Sequence, residues 1–263
     1  MGRRLRRCGF RALGLAGAAL SLGCVTQAPT GPAELDSRQT VSMLRAGDFA
    51  RLSGYYAAVQ RSYDGGRTTD RELRTAFRHF YDTAPDLAAR YESWVKEMPN
   101  SYVAHLARAI YYLRIGEQSR GNQIIADTSK AQLRGMDAAF AVADEELHRS
   151  ASLDRKPLMT VFYELDIGKF YGDDAQNRRL LQRSLAIDPK NFIVRQMYMM
   201  TLQTAWGGST AQMKAFLADC RTAGLPAAQL REFTAQVYAN EAWVDDVHKN
   251  FESAASEYLE AYK

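Results

Sequence analysis

SLAIDPKNFIVRQMYMMTL, residues 184–202, holds a helix end and a helix start within one short run. The apolar residues Leu185 and Ile187 stop at Asp188-Pro189, and a proline cannot continue a helix because it lacks the N–H and clashes with the preceding turn. Beyond it Asn191, a residue type that caps helix starts, leads into a second apolar-periodic run. Ninety residues earlier SWVKEMPNSYVAHLARAIYYL, residues 93–113, repeats that order around Pro99, with Asn100 and Ser101 in the capping place. Each stretch is a joint between two helices.

Working outward, apolar residues recur at three-and-four spacing from Ser37 onward, with no sustained strand-type alternation. Thr69 with Glu72, and Ser209 with Gln212, have the form of capping boxes, and Gly65-Gly66, Gly172 and Gly207-Gly208 stand where helices should stop. The pattern predicts helices over 37–46, 48–63, 70–82, 86–98, 101–116, 128–151, 157–171, 174–187, 191–205, 209–223, 226–239 and 241–261. The expected fold is all-α, a stack of antiparallel helix pairs. Its proline joints resemble those of tetratricopeptide repeats, although the period of about 34 residues is not sustained, so the expectation is a degenerate tetratricopeptide-like α-solenoid.

The beginning of the chain reads differently. Arg3, Arg4, Arg6, Arg7 and Arg11 precede a twelve-residue apolar run, Ala12 to Gly23, too short for a hydrocarbon core that needs ~20 residues and shaped like a removable export signal. It ends in Leu20-Ser21-Leu22-Gly23-Cys24, which resembles a lipobox, so Cys24 is the expected lipidation site. The predicted organisation is a lipoprotein-type signal over 1–23, a flexible Pro- and Gly-containing tether over 24–36 and a helical domain over 37–263. The expected location is the bacterial cell envelope, anchored through the N-terminal lipid, at the outer membrane and facing the periplasm.

Composition narrows the function. The chain has 263 residues and a formal charge of +4, but the five leader arginines account for the excess: the remainder carries 29 Lys/Arg against 30 Asp/Glu. Nucleic-acid binding normally needs a basic patch or stripe, and global charge gives no support for it. Past Cys24 only Cys220 remains, with no ligand-spaced Cys or His beside it, so no metal and no cofactor is expected. His79, His105, His148 and His248 are scattered, and no hydrolase elbow, phosphate loop or dinucleotide fingerprint occurs.

A family likeness adds to this. Trp94-Val95, Pro99-Asn100-Ser101-Tyr102, Ala107-Arg108, Ser119-Arg120-Gly121, Asp188-Pro189 and Trp206-Gly207-Gly208-Ser209 with Met213 and Phe216 resemble the bacterial domain-of-unknown-function family numbered 4034, over about residues 45–220. That resemblance implies a tetratricopeptide-like fold and supplies no mechanism.

Four places are candidates for binding. Trp206-Gly207-Gly208-Ser209 could offer backbone N–H groups to an anion at a helix start, or could simply be a glycine turn with a capping serine. Arg120, in Ser119-Arg120-Gly121, could clamp a carboxylate or merely close a helix. Arg108, Arg114 and Arg120 recur every six residues, about 600° around a helix, so they do not share one face. Tyr102, among the aromatics crowding the first half, could contact an extended peptide or glycan or pack in the core. No catalytic residue is assigned, although Glu92 and Glu164 lie in apolar surroundings where a general acid could sit. The leading expectation is a non-enzymatic, membrane-tethered interaction domain with a protein partner in the envelope. The alternatives are an envelope glycan hydrolase or lyase, and a small-anion binding module.

Overall fold

Asp36 opens the first helix by accepting the backbone N–H of Gln39, whose side chain returns a bond to the Asp36 N–H. From there the computed structural model describes residues 35–123 and 125–247, with positions 250, 253, 256, 257, 259 and 260. The leader, Cys24 and the tether up to 34 lie outside the described residues. Among the described residues eleven α-helices run in order: α1 Ser37–Ala46, α2 Phe49–Asp64, α3 Asp70–Phe77, α4 Leu87–Glu97, α5 Tyr102–Arg120, α6 Lys130–Leu153, α7 Leu158–Tyr171, α8 Asp174–Ile187, α9 Ile193–Thr201, α10 Thr210–Thr222 and α11 Ala227–Val247. No strand occurs among the described residues, and none of their helices is long and apolar enough to cross a membrane. The fold is all-α.

Local chemistry sets most of the boundaries. The Thr69–Glu72 capping box closes in both directions, and Ser129 with Gln132 forms another at the head of α6. Pro99 and Pro189 stand between α4 and α5 and between α8 and α9. Ser101 caps α5 by accepting from Ala104 N at 3.2 Å. The second joint differs from expectation: Asn191 does not cap α9 but turns back, its Nδ2 donating to the Asp188 carbonyl at 2.6 Å and the Ser184 carbonyl at 3.2 Å, where α8 ends. The cap of α9 comes from Asp70, which accepts from Phe192 N and, at 3.0 Å, from Ile193 N. Orphan donors at a helix start are satisfied here by a side chain 122 residues away.

Three predicted boundaries are corrected. The 70–82 helix ends at Phe77 and tightens into a 3-10 turn over Arg78–Phe80, and the 191–205 helix ends at Thr201 before a second such turn over Thr204–Trp206. No break separates the helices expected over 226–239 and 241–261: α11 is continuous through Asn240 to Val247. That residue reads as a break, but its buried amide is fully used: Oδ1 accepts Thr204 N at 2.9 Å and Nδ2 donates to Thr210 Oγ1 at 2.9 Å. Polar satisfaction from neighbouring elements removes the reason to interrupt the helix.

Two cores result. In the first half Phe49, Tyr56, Phe77, Phe80, Tyr91 and Trp94 are all buried, with Phe49 stacked on Trp94 at 5.9 Å and Phe80 tilted on Tyr56 at 4.6 Å. Such ring pairs contribute about 0.5–1.5 kcal/mol beyond their buried area. The second centres on α7, whose residues from Leu158 to Tyr163 are all buried and which packs against α5, α6, α8 and α9. A helix apolar on every side belongs in the middle. Chain neighbours pack on one another along most of the molecule, while α3 also meets α9, with Arg71 lying 4.0 Å over the Phe192 ring. Those contacts depart from a stack in which each unit touches only the next.

Candidate functional site

From Ser53 to its end, α2 runs along the joints that precede α5, α7 and α9. Ser53, one turn into the helix, lies 3.2 Å from Ser101 Oγ, and Tyr63, near its end, donates to Asp188 Oδ2 at 2.8 Å. Both proline joints are clamped alike. His105 Nε2 meets the Pro99 carbonyl at 3.0 Å and Arg195 Nη2 donates to the Pro189 carbonyl at 2.7 Å, each side chain reaching back six residues. Between α2 and the joints lie two cavities, of about 580 Å³ and 370 Å³, which share Asp64. The larger falls within the roughly 300–1,000 Å³ usual for ligand sites.

One polar group in the larger cavity's wall is left over by the fold. Gln60 is 3% exposed; its Nε2 donates to Asp64 Oδ1 at 3.0 Å, but its Oε1 has no partner. Tyr102, in the same wall, is 8% exposed, with its hydroxyl against Thr160. A buried group without a partner costs roughly 1–3 kcal/mol, so Gln60 is not neutral packing. Thr68 Oγ1 is similarly unpaired beside the smaller cavity. Charge adds a direction, because Asp64, Glu97 and Asp154 line the larger cavity against Arg61 alone. Burial pushes the Asp64 carboxyl up and the Asp154 charge adds to that, while the Gln60 hydrogen bond opposes both. The surface suits an extended, donor-rich, basic ligand.

The other candidates lie elsewhere. Tyr102 and Arg120 occupy opposite ends of α5, roughly 27 Å apart at 1.5 Å per residue. Arg120 does meet Trp206. Trp206, half-buried, makes an edge contact with Phe170 at 5.1 Å, and Arg120 and Lys169 sit 5.6 Å and 5.7 Å from the centre of its ring. Arg120 Nη1 is also held by the carbonyls of Gly121 and Gln123, at 3.0 Å each. Arg108 joins neither place: it pairs with Glu146, which His105 also contacts, and faces the Tyr112 ring.

The glycine turn is explained by backbone. Gly207 adopts φ +91° and donates to the Thr204 carbonyl, and Gly208 donates to the Gln203 carbonyl, both at 3.1 Å. The N–H groups of both glycines are therefore spent within the turn. Ser209 caps α10 by accepting Gln212 N, but Gln212 Oε1 accepts the Ser209 hydroxyl at 3.0 Å and not the Ser209 N–H, while its Nε2 donates to Asp174, so the expected box is half made.

Among the glutamates considered for catalysis, Glu92 is exposed. Glu164 is mostly buried and lines a separate cavity of about 430 Å³, with Arg183 Nη1 donating to both its oxygens at 2.8 and 3.1 Å. Burial raises its carboxyl and Arg183 pulls the other way. Cys220 is buried and free, a packed thiol beside Arg195. Among the described residues no group of three or more His, Cys, Asp or Glu is placed to hold a metal ion.

One constellation escaped the sequence reading. Asp166 and Lys169, on α7, join Arg114 and Glu117 of α5 in a four-membered charge network: Arg114 bonds Asp166 and Glu117, while Lys169 bonds Asp166 and, at 3.0 Å, Glu117. The signal was present as two charges three residues apart in the apolar run LMTVFYELDIGKFY. Comparison of the chain with protein-family models, with curated proteins and with solved structures returns no match.

Proposed function

We propose that the protein is a non-enzymatic, membrane-tethered binding domain of the bacterial envelope, whose row of joints holds an extended basic segment of a partner protein. The observation that carries this reading is the acidic wall of the larger joint cavity, Asp64, Glu97 and Asp154 against Arg61, together with the unpaired buried acceptor Gln60 Oε1 behind it. A folded chain that leaves a buried acceptor unsatisfied forgoes stability that an apolar residue would restore, a trade characteristic of sites kept for a ligand. Repetition of the proline clamp at Pro99 and Pro189 supports a degenerate tetratricopeptide-like origin for α4 to α9, with α5, α7 and α9 as successive first helices. The likeness to family 4034 belongs with that proposal and rests on the residues quoted for it.

The test separates function from stability. Tyr102→Phe deletes a buried hydroxyl whose neighbour is Thr160, so the unfolding free energy should fall by no more than about 1 kcal/mol, while recovery of the crosslinked partner falls. A variant that loses about 1 kcal/mol and binds as before would show the hydroxyl to be structural. Tethering has its own test: Cys24→Ser should abolish labelling by a palmitate analogue and move the protein out of the membrane fraction. Unchanged labelling would refute the lipobox reading.

A further inference from the structure

We infer that the cavity between α8, α9 and α10 is a second site, argued without the joint row, which binds a small organic carboxylate on an apolar body. Its volume, about 370 Å³, lies within the range usual for ligand sites. Leu181, Leu202 and Phe216, all buried, form an apolar floor, and Tyr198 stands edge-on to Phe216 at 4.8 Å. A floor of that kind holds a hydrocarbon body, and the charge beside it decides what the body must carry.

Arg195 of α9 lines the cavity and is 4% exposed. Its side chain crosses to α10, where Nη1 faces Cys220 Sγ at 3.9 Å, while Nη2 donates to the Pro189 carbonyl at 2.7 Å. Neither partner is an anion, since burial pushes the Cys220 thiol up against the pull of Arg195. Of the lysines and arginines buried among the described residues, Lys169 meets Asp166 and Glu117, whereas Arg195 meets no carboxylate. A charge taken out of water is costly unless an opposite charge accompanies it. A guanidinium has five N–H donors, and these contacts engage two. A carboxylate, which accepts two parallel bonds from arginine, supplies both the missing charge and the missing acceptors.

The remaining charges agree in sign. Arg178 lines the cavity from α8, is exposed and enters no ion pair among the described residues. Burial pushes the Tyr198 hydroxyl up and the Arg178 charge opposes it, which places that guanidinium on the Tyr198 side of the cavity. Asp219 is the one acid in the lining, so positive charge is in excess. The experiment is calorimetric titration of the full chain with hydrocinnamate and hexanoate, with neutral hydrocinnamyl alcohol, and with inorganic phosphate. The expected result is saturable one-to-one binding of at least one carboxylate and none of the alcohol or the phosphate. Arg195→Gln and Arg178→Glu should each weaken that binding at least ten-fold. Arg195→Gln also removes the clamp on Pro189, so should it unfold early the exposed Arg178→Glu carries the test. Failure of both carboxylates to bind, equal binding of the alcohol or of phosphate, or a loss smaller than ten-fold in a folded variant would overturn the proposal.

Discussion

Asp166→Asn should cost about 3–5 kcal/mol of folding free energy, because removing one partner of a buried ionic group leaves its counter-charges uncompensated. Asp166 is 3% exposed and faces both Arg114 and Lys169, whose side chains retain only 16% and 10% of their accessibility. Since an ordinary domain has about 5–15 kcal/mol in total, the variant should be marginal or unfolded, and urea denaturation measures it. A loss below about 1 kcal/mol would mean that the network is not intact in solution.

The same network gives a pH dependence. Burial pushes the Asp166 carboxyl up, but Lys169 and Arg114 outweigh it and hold the group below its ordinary value; His105 and Arg108 do the same for Glu146. Carboxylates depressed in the folded state stabilise it above their unfolded values, about 3.9 for Asp and 4.3 for Glu, and that stability is lost as pH falls through the folded values. Glu164 and Asp64, held high by burial, have the opposite sign and favour the folded state as they protonate. Stability should therefore hold or rise slightly on mild acidification and drop below about pH 4.

Gly208→Ala should be the costliest change in the glycine turn, at roughly 3 kcal/mol, the upper end of ordinary overpacking. An added Cβ would lie 2.2 Å from the Leu202 carbonyl oxygen and 2.4 Å from its carbon. These are backbone atoms, so relief requires moving the turn that carries Trp206. Gly54→Ala is the control of opposite sign: nothing lies within 4 Å of a Cβ there, and alanine in a helix interior is about 0.5–1 kcal/mol better than glycine. Equal midpoints for the two variants would contradict the packing given for the turn.

The contrast between these residues shows what could be read in advance. Thr69, Pro99, Pro189 and Gly172 act on their immediate neighbours, and helix limits near them were legible. The six-residue spacing of the arginines also gave a correct consequence, since Arg108, Arg114 and Arg120 do find different partners. Asn240 and Asp70 were misjudged or missed because their roles are set by Thr204, Thr210 and the start of α9, far away in the chain. Tyr102 was a candidate as one of the aromatics crowding the first half and as part of the family likeness, not for any partner the sequence could show. Gln60 carried no signal, since an unpaired amide becomes unusual only once the surrounding helices bury it.

The joint row is tested most directly by placing a photoreactive benzoylphenylalanine at Ala57, half-buried in the wall of the larger cavity, and irradiating cells that express the full chain. A discrete adduct with one envelope protein is predicted, whose yield falls at least ten-fold when Gln60→Met or Tyr102→Phe is added without unfolding the chain. Absence of an adduct from Ala57, or one that persists undiminished in both variants, would contradict the account.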